Sequence, residues 1–304
     1  MKGKQEEIII ANPMYDVVFK HLMADKNIAH YFVETVLGEK IADIDFAPQE
    51  YSYEKEIQTE DQIKKLNIIR LDFVATIRNN NGEEKKVLIE IQQSLKPYDI
   101  LRFRTYIGEQ YRNRDNILAK DDEIVKVMPI VAIYMLGFNI AGTSQVAVKV
   151  KRTGNDMING GDVKIKNPLF EALTHDAYFI QVSRIQQEMF DDWENCSELM
   201  KLLSVFEQNY FIDNKYFKKY PYPIIDKNIK KMVKTLEYIA ADPKMRRAMQ
   251  EEEFAALDAA FWQDALAKKD NTIAQKDNTI AQQDHALQKA LAELNELKKK
   301  FGLN

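Results

Sequence analysis

The chain has 304 residues, of which 45% are hydrophobic and 30% are charged, enough for one large or two ordinary domains with a sizeable core. The formal net charge of −4 excludes a general electrostatic attraction to nucleic acid or anionic membranes, so a polyanionic partner must be met by a local basic patch. The single cysteine, Cys196, excludes an internal disulfide, which fits a reducing compartment.

The first residues carry no recognisable targeting signal. The opening sequence MKGKQEEIII contains only a three-residue apolar run, too short for the apolar core of a secretory signal. No stretch of the sequence approaches the ~18 apolar residues that a membrane-spanning helix needs. We therefore expect a cytoplasmic protein without a membrane partner.

Two helices are predicted next. From Asp16 to about Leu37 the apolar residues recur at helical spacing, and Gly38 follows as a C-cap. The stretch 40–66 is polar and mixed, which indicates strand and loop.

A β-hairpin is predicted after this stretch. Two segments rich in β-branched and apolar residues, NIIRLDFVATIR (67–78) and KKVLIEIQQS (85–94), are separated by the turn sequence NNNGEE. Asn and Gly tolerate positive φ, so this is strong turn chemistry. If the turn is centred near Asn81, antiparallel pairing places Asp72 opposite Glu90.

The two faces of this hairpin differ in polarity. Side chains alternate along a strand, so the odd-numbered residues form an apolar face that we expect to join the core. The even-numbered face carries Asp72, Glu90 and Gln92, with two carboxylates side by side. Like charges opposite each other destabilise a ladder by about 0.2–1 kcal/mol, which a bound cation would offset. Mg²⁺, with Mn²⁺ as an alternative, prefers such oxygen ligands.

The pairing alone leaves two interpretations of this face open. In one, Asp72 and Glu90 bind a metal that activates water and neutralises charge on a phosphoryl group. In the other, the face is an ordinary solvent-exposed surface, where Asp and Glu are common. The register matters for both, because a shift by one residue would move Glu90 to the opposite face.

Helix and strand patterns follow the hairpin. An Arg- and Tyr-rich helix is expected over about 99–116, then a fully buried strand in VMPIVAIYMLGF (127–138). Further strands are expected in QVAVKVKR (145–152) and YFIQVSRI (178–185). Over about 186–249 the pattern is mostly helical, interrupted by YPYPIID.

The C-terminal segment has a heptad repeat, since KDNTIAQ occurs twice without change. Apolar residues recur there with the coiled-coil period, at Ile273, Ile280, Leu287, Leu294 and Phe301. A coiled-coil seam needs a second apolar residue four positions after each of these. Asp277 and Asp284 occupy two of those positions, so the seam is imperfect. We expect this tail to associate with another helix, forming a homo-oligomer; a solvated polar tail is the alternative.

The motifs in this order resemble the PD-(D/E)XK nuclease superfamily. The acidic residue of LDFVATI and the Glu-x-Gln of KKVLIEIQ match the short motif of this superfamily. Within the superfamily, the chain most resembles the transposase-like branch of recombination-promoting nucleases. That branch begins with a helix carrying Asp-x-x-Phe-Lys, as in YDVVFKHLM (15–23). It continues after Glu-x-Gln with an Arg- and Tyr-rich helix and an apolar strand containing Pro. The resemblance covers roughly residues 10 to 240.

The resemblance implies a restriction-endonuclease-like α/β core, with a mixed central sheet flanked by helices, and a role for each motif residue. Asp72 and Glu90 would be metal ligands, joined by the backbone carbonyl of Ile91. Gln92 would stand where the superfamily usually has lysine, and Asp16 would be a helix acid that assists the metal site. Lysine supplies a charge that stabilises the transition state, whereas glutamine can only orient water by hydrogen bonds. The branch itself carries this glutamine, so the resemblance is compatible with a slow or conditionally active enzyme.

Two basic stretches are candidates for contact with DNA. Arg102 and Arg104 lie on the helix expected over 99–116, and KNIKKMVK (227–234) forms a second cluster. Either stretch would bind phosphates through charge. Either is also compatible with an ordinary solvated helix face.

Three regions are therefore predicted: a nuclease-like domain (1–185), a helical accessory region (186–255) and a coiled-coil tail (256–304). The expected function, as the resemblance implies, is Mg²⁺-dependent hydrolysis of DNA phosphodiester bonds in recombination or a mobile element. One rival is a nuclease fold that has lost catalysis and binds DNA or a protein. Another is an oligomeric scaffold formed through the tail.

Overall fold

The computed structural model describes residues 7–46, 50–55, 65–70, 73–93, 97–120, 123–164, 167–213 and 215–301. Predictions that fall on Leu71, Asp72 and Ser94 lie outside these residues. Contacts between residues divide the chain into two compact units, 1–249 and 250–304.

The described residues form strands and helices of a mixed α/β chain. The strands are β1 (Ile9–Ala11), β2 (Ile41–Phe46), β3 (Glu50–Lys55), β4 (Lys65–Arg70), β5 (Phe73–Asn79), β6 (Glu84–Gln92), β7 (Ile117–Lys120), β8 (Glu123–Val127), β9 (Ile130–Leu136), β10 (Ala147–Val150), β11 (Gly154–Asn155), β12 (Asp162–Val163), β13 (His175–Gln181), β14 (Phe211–Asp213) and β15 (Phe217–Lys219). The helices are α1 (Asp16–Met23), α2 (Lys26–Leu37), α3 (Pro97–Arg112), α4 (Pro168–Leu173), α5 (Glu198–Leu203), α6 (Lys227–Ala241) and α7 (Pro243–Phe301).

A mixed sheet forms the centre of the unit 1–249. Among the described strands its order is β10-β13-β9-β6-β5-β2. The neighbours β6, β9 and β13 run parallel, and the other neighbours pair antiparallel. Helices pack against both faces of this sheet. The structure therefore confirms a mixed α/β architecture with a mixed central sheet flanked by helices.

The β5–β6 hairpin has the register that the sequence predicts. Phe73 pairs with Ile89, which is the pairing obtained when the turn is centred near Asn81. Gly82 closes the turn with φ of 78°, a left-handed conformation that glycine adopts without steric cost. The side chain of Asn79 accepts hydrogen bonds from two backbone N–H groups of the turn, each at 2.9 Å.

The larger core lies on the odd-numbered face of β5 and β6, as predicted. Side chains from α1, α2 and α6 belong to the same buried cluster as this face. Three fully buried rings, those of Phe19, Phe32 and Phe206, meet edge to face with centroids 5.9, 6.4 and 5.6 Å apart. Burial of each such side chain contributes about 1.5–3 kcal/mol, so this core anchors the helices to the sheet.

The even-numbered face of the hairpin is also covered. Val74, Leu88 and Ile130 form a second buried cluster on it, packed against Tyr106 and Ile107 of α3. The interpretation of this face as an ordinary solvent-exposed surface is therefore wrong around Val74 and Leu88, over which α3 lies, whereas Arg78 near the turn is exposed. Burial on both faces also explains why β6 reads as a nearly continuous aliphatic run.

The helical stretch after Asp16 forms two helices. The first ends at Met23, and Asp25 caps the second by accepting hydrogen bonds from two backbone N–H groups of its first turn. Gly38 ends α2 with φ of 68°, which confirms the predicted C-cap.

The segment 186–249 contains strands as well as the predicted helices. Here β14 and β15 form a sheet with β1, in the order β1-β15-β14. Strands of three residues offer too few positions for a period-two pattern, so the sequence pattern does not reveal them. The main core includes side chains on both sides of residue 185, such as Ile180 and Leu202. The predicted boundaries at residues 185 and 255 stay predictions.

The unit 250–304 is helical as far as Phe301, within α7. Its described heptad side chains, from Ile273 to Leu294, are exposed, with Ile273 and Leu287 each 56% exposed. Among the described residues, no helix combines the length and the apolar character needed to cross a membrane.

Candidate active site

Glu90 lies near the carboxyl end of β6, beneath α3. Only 5% of its surface is exposed, and it lines a small cavity with Leu88, Phe103 and Tyr134. Burial, with a contribution from the negative charge of Glu90, raises the pKa of Tyr134 to about 12. Because buried carboxylates are costly unless they are paired or bind a metal, this position is unusual for a side chain without a role.

The backbone carbonyl of Ile91 faces the edge of β6 that adjoins β5. Lys86 donates its N–H to the carbonyl of Pro129 at 2.8 Å, and the carbonyl of Gln92 accepts from the N–H of Gly137 at 2.7 Å. The even-numbered backbone groups of β6 therefore face β9. Successive peptide groups alternate in direction, so the odd-numbered carbonyls face β5. The predicted ligand carbonyl thus lies on the hairpin side of the strand.

Gln92 is the last residue of β6 and is half-buried. Its side chain lies on the same face as Glu90, because the two positions are two residues apart in a strand. The structure therefore brings Glu90, the Ile91 carbonyl and Gln92 together at one strand end.

Asp16 begins α1, and its carboxylate forms an ion pair with Lys20 at 2.8 Å. The start of this helix is tied to the end of β6 by Gln93, whose Nε2 donates to the carbonyl of Met14 at 3.0 Å. Asp16 thus lies two residues beyond a backbone carbonyl that contacts the residue after β6, and its role at a metal stays a prediction.

The predicted partner of Glu90, Asp72, lies outside the described residues. Within the described part of the chain, no group of three or more His, Cys, Asp or Glu side chains is arranged to hold a metal. The carboxylate of Glu90 and the carbonyl of Ile91 are oxygen donors of the type that Mg²⁺ prefers. The donor chemistry at this strand end therefore fits the ion, and a complete ligand set would need Asp72.

The two predicted DNA-binding arginines both lie in α3. Arg104 is exposed and lines a groove on the α3 side of the sheet. The side chain of Arg102 lies outside the described residues. Contact of these residues with DNA stays a prediction.

The second basic stretch, 227–234, forms the first half of α6. Its apolar side chains Ile229, Met232 and Val233 are fully buried in the main core. One of its cations, Lys231, pairs with Asp25 at 2.6 Å. The stretch is therefore an amphipathic helix, and one of its lysines, Lys231, forms an ion pair within the fold.

Gly137 makes a close backbone contact that sequence reasoning missed. A Cβ at this position would lie 2.7 Å from the carbonyl oxygen of Gln93, a separation that real Cβ atoms essentially never show. Only glycine lets the chain after β9 approach the end of β6 so closely. A glycine directly after a buried strand is the sequence signal that would have indicated it.

Comparisons of the chain with protein-family models, with curated proteins and with solved structures found no match.

Replacing Gly137 with alanine should lower the free energy of unfolding by about 1–3 kcal/mol, the usual cost of overpacking. The matched control is Gly108→Ala in α3, where a new Cβ meets no atom within 4 Å and helix propensity favours alanine by up to ~1 kcal/mol. Urea unfolding of both variants measures the difference. Equal stability of Gly137→Ala and the wild type would contradict the close contact.

Proposed function

We propose that the chain is a Mg²⁺-dependent endonuclease of the PD-(D/E)XK type that hydrolyses DNA phosphodiester bonds in recombination or a mobile element. The observation that carries this proposal is the burial of Glu90 at the carboxyl end of a central strand, with Gln92 two residues later on the same face. The confirmed register of the described hairpin supports it, because that register underlies the expected pairing of Asp72 with Glu90.

A restriction-endonuclease-like core is the finer fold that we propose within the mixed α/β architecture. In its support, the hairpin β5–β6 is followed by α3 and then by β9, which runs parallel to β6. This is the order of elements that the resemblance implies. The hydrogen bond from Gln93 to Met14, two residues before Asp16, supports a role for Asp16 near this core.

In the proposed site, Asp72 and Glu90 would hold the metal together with the backbone carbonyl of Ile91. When bound, the ion would supply positive charge beside a phosphate and make nearby water more acidic. Gln92 orients the attacking water through its side-chain amide, which can both donate and accept hydrogen bonds. Asp16 assists the ligand arrangement from α1.

DNA would approach the site along α3. We assign the phosphate contacts to Arg102 and Arg104, because a protein with a net charge of −4 needs a local basic surface to hold a polyanion. Hydrolysis by this site would be slow or conditional, since Gln92 lacks the charge that a lysine would add.

A second candidate is a nuclease fold that binds DNA or a protein without cutting. Gln92 favours it, because the transition state would lack the positive group that lysine usually supplies. Cleavage in the presence of Mg²⁺ or Mn²⁺ separates the two candidates, since the binding module would hold DNA and leave it intact.

The C-terminal helix is proposed to form a coiled coil with a second copy of the chain, making a homo-oligomer. The exposed heptad side chains of the unit 250–304, among them Ile280 at 54% and Leu294 at 51%, support this proposal. Burial of such side chains against another helix would stabilise a helix that is marginal alone.

Substituting Asp72→Asn or Glu90→Gln should reduce Mg²⁺-dependent plasmid cleavage at least a hundredfold, about 2.7 kcal/mol in barrier. Each change keeps the size of the side chain and removes the negative charge that would bind the metal. The control is Glu84→Gln, at the opposite end of β6, where the carboxylate pairs with Arg78 at 2.9 Å. The metal-site proposal fails if both variants cut at the wild-type rate while remaining folded by circular dichroism.

Changing Gln92 to alanine should slow cleavage tenfold or more, on the order of 1.4 kcal/mol in barrier, because the attacking water loses its orienting amide. Gln92→Lys should retain or increase the rate at saturating Mg²⁺, since the new charge stabilises the transition state. Gln282→Ala, on the exposed surface of α7, serves as the control. A wild-type rate in Gln92→Ala would leave Gln92 without a catalytic role.

Removing residues 265–304, or introducing Leu287→Asp in the full chain, should reduce the mass measured by sedimentation. A charge at the heptad position opposes burial in a helix–helix seam. Gln288→Asp, one position outside the seam, should leave the mass unchanged. An unchanged mass in both the truncated chain and Leu287→Asp would exclude the coiled-coil interface.

A further inference from the structure

A groove with a volume of about 730 Å³ lies on the α3 side of the sheet, at the carboxyl end of β9. It has the size of sites that take small organic ligands. Its lining is mostly apolar and includes the aromatic side chains of Phe103, Tyr111, Tyr134, Phe138 and Phe179.

Three of these rings form a continuous row. Tyr134 stacks on Phe179 with centroids 5.0 Å apart and planes 18° from parallel. Phe103 of α3 also contacts Tyr134, with centroids 5.1 Å apart and planes inclined by 44°. Partly exposed rings in such a row offer flat surfaces for stacking, which suits a planar ligand.

Polar groups occupy only part of the groove wall. The hydroxyl of Tyr111 lies 2.8 Å from Nδ1 of His175, and burial lowers the pKa of His175, so this imidazole is neutral at pH 7. The exposed Arg104 adds a cation to the same wall. The groove therefore combines flat apolar surfaces, a neutral hydrogen-bonding pair and one positive group.

Gly108 makes the groove wider than the helix would otherwise allow. It lies within α3 and lines the groove, and a Cβ added to it meets no atom within 4 Å. Glycine inside a helix costs about 0.5–1 kcal/mol relative to alanine. The open space beside Gly108 is thus available to a ligand.

The groove adjoins the candidate active site. In the sheet register Tyr134 pairs with Glu90 on one side and with Phe179 on the other. Neighbouring strands lie about 4.8 Å apart, so Glu90 is one strand away from the ring row. A group stacked in the groove would hold a covalently attached phosphate close to the end of β6.

We propose that this groove binds an unpaired nucleobase of single-stranded DNA, so that the substrate of the endonuclease is a single-stranded or frayed segment. The inference rests on the proposed function, which supplies the phosphodiester chemistry beside the groove. The base stacks on the ring row, which is worth about 1–3 kcal/mol per base. Arg104 contacts the adjoining phosphate, and the Tyr111–His175 pair faces the edge of the base.

The test compares Gly108→Leu, which fills the groove, with Gly108→Ala, which leaves most of it open. The probe is a fluorescein-labelled single-stranded oligodeoxynucleotide, alone or annealed to its complement, in EDTA so that no cleavage occurs. Fluorescence anisotropy should show tighter binding of the single strand than of the duplex by the wild type. Gly108→Leu should raise the single-strand Kd at least tenfold, and Gly108→Ala should leave it within about twofold.

A second variant, Phe179→Leu, keeps an apolar side chain but removes one stacking face, and should weaken single-strand binding severalfold. Gln282→Ala, on the exposed surface of α7, should bind the single strand as the wild type does. Equal single-strand affinity in folded Gly108→Leu and Gly108→Ala would overturn the proposal, even if Mg²⁺-dependent cleavage is found. Gly108→Leu could lose single-strand binding while Gly108→Ala keeps it, and the wild type could cleave no DNA with any divalent ion. That combination would support base binding in the groove and reject the proposed nuclease activity.

Discussion

The middle of β6, from Val87 to Ile91, is buried, and the rest of the central sheet is built around it. Its edges pair with β5 on one side and β9 on the other, and its faces pack against the main core and against α3. A strand enclosed in this way is expected to be aliphatic throughout. Glu90 departs from that expectation at 5% exposure, so the sheet holds a carboxylate in surroundings where charge interactions are strong.

The same enclosure determines what the strand end can do. The carbonyl of Ile91 is directed toward the β5 side, and Gln92 follows Glu90 on one face. The side chain of Gln93 then joins this point to Met14, just before α1, and the backbone of Gly137 after β9 packs closely against Gln93. The oxygen donors at this strand end are therefore held rigidly. The ring row beside them offers a planar group a fixed position.

Much of this arrangement follows from local sequence signals. The hairpin register depends on a short turn with Asn and Gly, and the C-cap at Gly38 depends on its left-handed backbone, so both could be predicted. The covering of the even-numbered face by α3 depends on contacts between distant residues, which no local pattern contains. The three-residue strands β14 and β15 are too short to show a period-two pattern, and the close approach at Gly137 has only the position of that glycine after β9 as a local signal. The role of Asp72 rests on the resemblance and on the pairing expected from the turn.

The most direct test of the central claim is a crystal structure of the wild type with Mn²⁺, measured by anomalous diffraction. The account predicts a Mn²⁺ peak within coordination distance of the carboxylates of Glu90 and Asp72 and of the carbonyl oxygen of Ile91, and no peak there in Glu90→Gln. A wild-type crystal at saturating Mn²⁺ with no peak at Glu90, or with the ion bound only elsewhere, would contradict the account.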